Sequence, residues 1–251
     1  MAGFFSFRAG WSPWQLILLA VVAGAAVMIA ACLRLLSPAP ERDGAGGAIK
    51  DEATSRGPRA SKWRVSSSVL LLGGAAFLLM LAEGVANDWS ALQVASRFGA
   101  SDAVSALGYA AFASTMTLGR FATDAVVARL GALPVLIGGA GVGAAGLAVV
   151  VASPALPLTL AGWALLGTGL AGCVPQLFTA AGNLPGTSAG ITISRVLSFG
   201  YVGQLAGPAV IGWAAQASTV TLALAIPAGG LVAVIGTYPL MKRALERRAG
   251  R

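Results

Sequence analysis

Apolar residues in this chain come in long, nearly uninterrupted runs. The runs cover residues 14–36, 66–86, 104–122, 133–152, 156–181, 187–214 and 219–241. Each is close to the ~20 residues an α-helix needs to cross a hydrocarbon core. The first is too long for the ~7–15-residue core of a signal peptide. It also lacks a basic cluster before it and a small-residue cleavage site after it, so it reads as a true span. Residues 37–64 are rich in Pro, Gly and charge and predict a flexible loop, the longest polar stretch of the chain. The other connections are short: 87–103, 123–131, a Ser153-Pro154 turn and Asn183-Leu184-Pro185-Gly186. The pattern predicts an all-α, polytopic membrane bundle of about seven transmembrane helices.

Composition agrees and narrows the choice. Hydrophobic residues make up 57% of the chain and charged residues 10%, against ~25% charged in a soluble domain. No length remains for a sizeable soluble domain. The net charge of +8 could suggest nucleic acid, but the bases flank apolar runs and no basic–aromatic stripe accompanies them. They are better read as an orientation signal. With the long loop placed inside, the inner side carries Arg34, Arg42, Lys50, Arg56, Arg59, Lys62, Arg64, Arg120, Arg129 and all five bases of the tail. Arg8 and Arg97 fall outside, and Arg195 lies within a span. This asymmetry follows the positive-inside rule. It predicts a multi-pass protein of the plasma (inner) membrane with its N-terminus outside and its C-terminus cytoplasmic.

Chemistry is sparse. Cys32 and Cys173 both lie in apolar runs, and there is no His. The commonest metal ligand and general base is therefore missing, and no Gly-x-Ser-x-Gly elbow is present. The sequence predicts no enzyme, no metal and no cofactor. A retinal pump would need a Lys in its last span, and Lys242 stands only at the exit of that span. The 34 glycines fall mostly within spans, as in Gly138-Gly139-Ala140-Gly141-Val142-Gly143, where small residues let helices approach closely in lipid.

Several segments resemble the major facilitator superfamily of transporters, bacterial inner-membrane members above all. They are Ala82-Glu83-Gly84-Val85-Ala86-Asn87-Asp88-Trp89-Ser90, Leu107-Gly108-Tyr109-Ala110-Ala111-Phe112, and Gly119-Arg120-Phe121-Ala122-Thr123-Asp124 with Arg129-Leu130-Gly131. Gly203-Gln204-Leu205-Ala206-Gly207-Pro208-Ala209-Val210-Ile211-Gly212 completes the set. The likeness runs from about Trp14 to Met241. It implies the C-terminal half of a twelve-helix transporter, preceded by the family's sixth span and without its first five. The implied division is 1–36 as that sixth span, 37–64 as the cytoplasmic linker between halves, 65–241 as a six-helix half of two inverted three-helix repeats, and 242–251 as a basic cytoplasmic tail. A missing half would come from another chain or from a second copy, or else the sequence is that of a truncated transporter.

Candidate site residues follow. Glu83 and Asn87 share a helix face at i, i+4, with Asp88 beside it. An intramembrane carboxylate marks a functional site by default, so these are candidates for solute contact or proton coupling; the alternative is a helix end reaching outer water. Arg195, within a span, either faces a cavity or snorkels to the inner interface. Tyr109, Gln176, Asn183 and Gln204 are candidates for a polar cavity wall, or simply bridge helices. Arg120 and Asp124 are i, i+4 at a predicted cytoplasmic helix end. In the family the matching loop is a conformational latch, which makes Arg120, Asp124 and Arg129 gating candidates, although Ala125 stands where the family has Arg. Gly207-Pro208 is a candidate kink or close-contact point. The leading reading is a secondary transporter for a small solute in the lipid bilayer, with protons as a candidate coupling ion. The alternative is a membrane protein that does not transport, either a remnant or the interaction partner of another transporter half.

Overall fold

The computed structural model describes residues 66–184 and 188–246. The expected first span, the linker and the end of the tail lie outside them. Helices account for nearly all of the described chain: α1 (Ser67–Phe98), α2 (Asp102–Leu130), α3 (Ala132–Ala152), α4 (Leu156–Leu170), α5 (Cys173–Gly182), α6 (Ala189–Ala217), α7 (Val220–Ala223), α8 (Ala225–Gly236) and α9 (Tyr238–Glu246). By length and composition, Ser67–Phe98, Ala132–Ala152 and Leu156–Gly182 can cross a membrane, and Val220–Gly236 with Tyr238–Leu245, bent by 43°, makes a fourth if taken as one span. The remaining two helices, α2 and α6, have 29 residues each and so the length, but more polar side chains.

Two predicted boundaries move. The 87–103 stretch, expected as a connection, is mostly helix, because α1 continues to Phe98. Its polar residues fit inside a helix because Ser90 and Gln93 are buried and Arg97 donates to the Ser153 carbonyl oxygen at 3.1 Å. Gly99, with φ of +60°, then ends α1 in the left-handed region that favours glycine. The 123–131 stretch is likewise helix as far as Leu130. Two predicted spans are broken, 156–181 at Ala171–Gly172 and 219–241 at Leu224 and Thr237. The turn at Ser153 stands where predicted, its hydroxyl donating to the Ala155 carbonyl at 2.8 Å.

Glycine sets the packing. α1 and α6 run parallel and in steady register. A Cβ on Gly203 would land on the Phe77 carbonyl oxygen, one on Gly207 at 2.8 Å from the Leu81 oxygen, and one on Gly84 on the Gln204 oxygen. In the same way α4 runs parallel to α2, where a Cβ on Gly167 would strike the Phe112 carbonyl oxygen and one on Gly119 would meet the Ala171 Cβ at 2.7 Å. Without a hydrophobic drive between helices in lipid, such close backbone approach is what holds them. The two pairs correspond. In each, an early helix of one half of the described chain lies along a helix of the other half. Antiparallel α3 and α4 close through Gly146 and Gly162, each facing the other's carbonyl oxygen. The core between these helices is apolar, with Leu79, Phe112, Leu147, Trp163, Leu166 and Ile211 fully enclosed.

One polar knot interrupts this core. Gln93 is fully buried, donates to Thr221 Oγ1 at 3.2 Å and accepts from Trp163 Nε1 at 3.2 Å. It ties α1, α4 and α7 together at the Gly99 end of the bundle. Gln93→Leu strands both partners. With ~0.6–2 kcal/mol for a hydrogen bond between helices in a membrane protein, we expect a loss of about 1–3 kcal/mol, read as a lower midpoint of thermal unfolding in micelles. An unchanged midpoint would show that these bonds contribute nothing.

Candidate functional site

Glu83 lies about halfway along α1, on the side facing α2. Its placement differs from the sequence expectation, which put it in the outer part of a shorter span. The cause is the extra length of α1 beyond Ala86. Arg120 also moves inward, since α2 continues for more than two turns past it. α2 runs antiparallel to α1, with Gly108 against the Ser90 carbonyl, and the two long side chains come within reach of each other across this contact. Arg120 Nη2 stands 3.7 Å from Glu83 Oε1. Both lie far from either end of their helices, among apolar neighbours such as Leu79, Ala82 and Met116.

The pair is loose. At 3.7 Å it is an ion pair beyond hydrogen-bond length, unlike a bidentate Arg–carboxylate fork at ~2.7–2.9 Å. The Glu83 side chain is 16% exposed and the Arg120 side chain 55%. The acid is thus largely enclosed, while the guanidinium reaches an open face. Among the described residues no hydrogen bond and no further ion pair is found on either group.

The other predicted residues divide around this pair. Asn87, one turn beyond Glu83 on α1, is exposed, as is Asp88. On α2, Ser114 and Thr117 are exposed as well. Gln204 on α6 is half-buried beside α1, where its carbonyl oxygen faces Gly84. Tyr109 is exposed on α2 at 46%, three turns from Arg120 and on the same stripe. Arg195 is half-buried near the start of α6, with no contact to the pair. Asp124 and Arg129 are exposed in the last part of α2. The ion pair of Arg120 is with Glu83 and not with Asp124. Gly207 makes the close contact with α1, and α6 runs on through Pro208 to Ala217.

Gln176 belongs elsewhere. It is buried and lines a cavity of about 120 Å³ at the Leu130 end, with Leu72, Leu136, Thr179, Asn183 and Met241. The Asn183 side chain donates back to the Thr179 carbonyl oxygen at 2.8 Å. Gln176 and Asn183 therefore do not share a wall with Glu83. The sequence reading did not single out Gln93, Trp163 or Thr221. For Gln93 a signal existed, because Ser90, Gln93 and Arg97 continue at helical spacing through the segment read as a loop.

No family model matches the chain. An uncharacterized MFS-type transporter of Yersinia pestis is 37% identical over 179 residues, 71% of this chain and 46% of that protein. An uncharacterized transporter of Sinorhizobium fredii is 33% identical, over 71% of this chain and 47% of its own length. Membrane protein MosC of Rhizobium meliloti is 34% identical over 149 residues, 59% of this chain and 37% of that protein. The chain spans about half the length, or less, of the curated relatives it matches.

Proposed function

Because this chain belongs to the major facilitator superfamily, we propose that it serves transmembrane transport of a small solute by a secondary, proton-coupled mechanism. The observation that carries the reading is the Glu83–Arg120 pair, an acid and a base set between two helices away from their ends. Ionisable groups are costly there and are kept for ion or solute pathways. A loose pair suits coupling. When Arg120 is drawn to another acceptor, Glu83 is left ionised in an apolar surrounding, and taking a proton from water removes that cost. When Arg120 returns, the proton leaves to whichever side is then open. Asn87, Asp88, Tyr109 and Gln204 are the candidate lining of the same face. Gln176 and Arg195 are candidates of lower rank, set by their distance from it. Asp124 and Arg129 are proposed as gating residues at the Leu130 end, and that end is proposed as the cytoplasmic one on the strength of its basic residues.

Alternating access needs a second half opposite this one. We propose that it comes from an N-terminal transporter half or from a second copy of the chain. The test is flux. The full chain is reconstituted in proteoliposomes, alone and with a co-expressed N-terminal half of the Yersinia relative, and solutes are added under an imposed pH gradient. Solute-dependent dissipation of the gradient is expected in at least one arrangement. Its absence in both, across a broad solute panel, would sink the transport reading and leave a membrane protein with another role.

A further inference from the structure

The shape and charge of the Glu83–Arg120 pair limit what can bind between its members. Building on the transport reading above, we propose that the pair is a recognition site for an uncharged, polyhydroxylated solute, one of whose hydroxyl groups bridges Arg120 and Glu83.

Charge gives the first argument. The pair is neutral as a whole, and the two charges stand 3.7 Å apart. An anion drawn to Arg120 meets the Glu83 carboxylate at nearly the same distance, and a cation drawn to Glu83 meets the guanidinium. A hydroxyl group meets neither penalty, because it accepts from one partner and donates to the other. Geometry gives the second argument. A hydroxyl oxygen ~2.8 Å from both partners, with the two directions at a tetrahedral angle, needs them ~4.5 Å apart. The observed 3.7 Å falls short by less than ~1 Å, a shift that the half-exposed Arg120 side chain can make without moving a helix. Hydrogen-bonding capacity gives the third. The guanidinium has five N–H donors and no hydrogen bond among the described residues. Exposed neutral polar groups stand on the same two helices: Asn87 one turn from Glu83 on α1, and Ser114 and Thr117 within two turns of Arg120 on α2. The two hydroxyls already donate to the Ala110 and Ala113 carbonyl oxygens, at 2.6 and 2.8 Å. Their oxygens keep lone pairs for further hydroxyl groups.

The experiment uses three related probes: glucose, which is neutral; gluconate, an anion; and glucosamine, a cation near neutral pH. Binding to the full chain in nanodiscs is measured by equilibrium dialysis. For the wild type, glucose is expected to bind about tenfold or more tightly than either charged probe, the scale of one hydrogen bond to a charged group. Glu83→Gln leaves Arg120 unopposed and should turn the preference to gluconate. Arg120→Gln leaves Glu83 unopposed and should turn it to glucosamine. Opposite reversals from two variants cannot come from misfolding. A charged probe that binds the wild type as tightly as glucose overturns the assignment, as does failure of either reversal or no binding of any probe. If the assignment fails while solute-driven proton flux persists, the transport reading stands without it. If the reversals appear without flux, the site stands and the transport reading falls.

Discussion

Gly203→Leu is expected to abolish the folded bundle. A Cβ at this position already clashes with the Phe77 carbonyl oxygen, and main chain cannot turn aside as a side chain can. Overpacking a well-filled core costs ~1–3 kcal/mol when neighbours can yield. Here α6 would have to move off α1 along the whole seam that Gly84, Gly203 and Gly207 form, so the cost should exceed ~3 kcal/mol. The checks are loss of the monodisperse peak in size-exclusion chromatography and loss of a cooperative unfolding transition in micelles. Gly138→Ala is the matched control. Nothing lies within 4 Å of a Cβ there, and replacing a helical glycine by alanine gains ~1 kcal/mol in propensity. The control should unfold at the same temperature as the wild type or higher. A folded Gly203→Leu protein with wild-type stability would refute the packing between α1 and α6.

Glu83→Gln should reduce proton flux coupled to solute, measured at saturating solute, by about 100-fold or more, a barrier change of ~3 kcal/mol. Glutamine keeps the size and a hydrogen-bonding tip but cannot carry a proton across. The effect should be much larger than the accompanying change in solute affinity, which identifies a carrier of protons and not merely a contact. Solute exchange in the absence of a pH gradient should fall only as far as the solute affinity does, since exchange needs no net proton movement. Flux equal to wild type would remove Glu83 from the coupling step. Stability should change little, because one loose and partly exposed ion pair contributes little.

How much of this was legible in the sequence follows from the range of each signal. Hydrophobic runs are local, and they located every helix-bearing region between residues 66 and 246. Boundaries were less legible, because polar residues such as Gln93 and Arg97 look like loop in one dimension. They become tolerable in a helix only once Thr221, Trp163 and Ser153 arrive from distant parts of the chain. The same limit applies to the site. Glu83 stood out as an acid in an apolar run. Its pairing with Arg120 was not legible, because the two residues stand on different helices. Spacing along one helix can be read from sequence; the register between two helices depends on contacts such as Gly108 against Ser90. The breaks at Ala171–Gly172 and Thr237 lie in apolar surroundings, and their only signals are the glycine and proline beside each, Gly172 with Pro175 and Gly236 with Pro239.

The α1–α6 seam also has a consequence in time. Phe77 and Gly203 touch, yet a ribosome adding ~5–20 residues per second makes the second roughly 6–25 s after the first. Until α6 arrives, the glycine-matched face of α1 has no helix of its own chain to close on it at Gly203. Biogenesis of this chain must therefore include a waiting state, in which lipid or the insertion machinery occupies the groove that α6 will later fill.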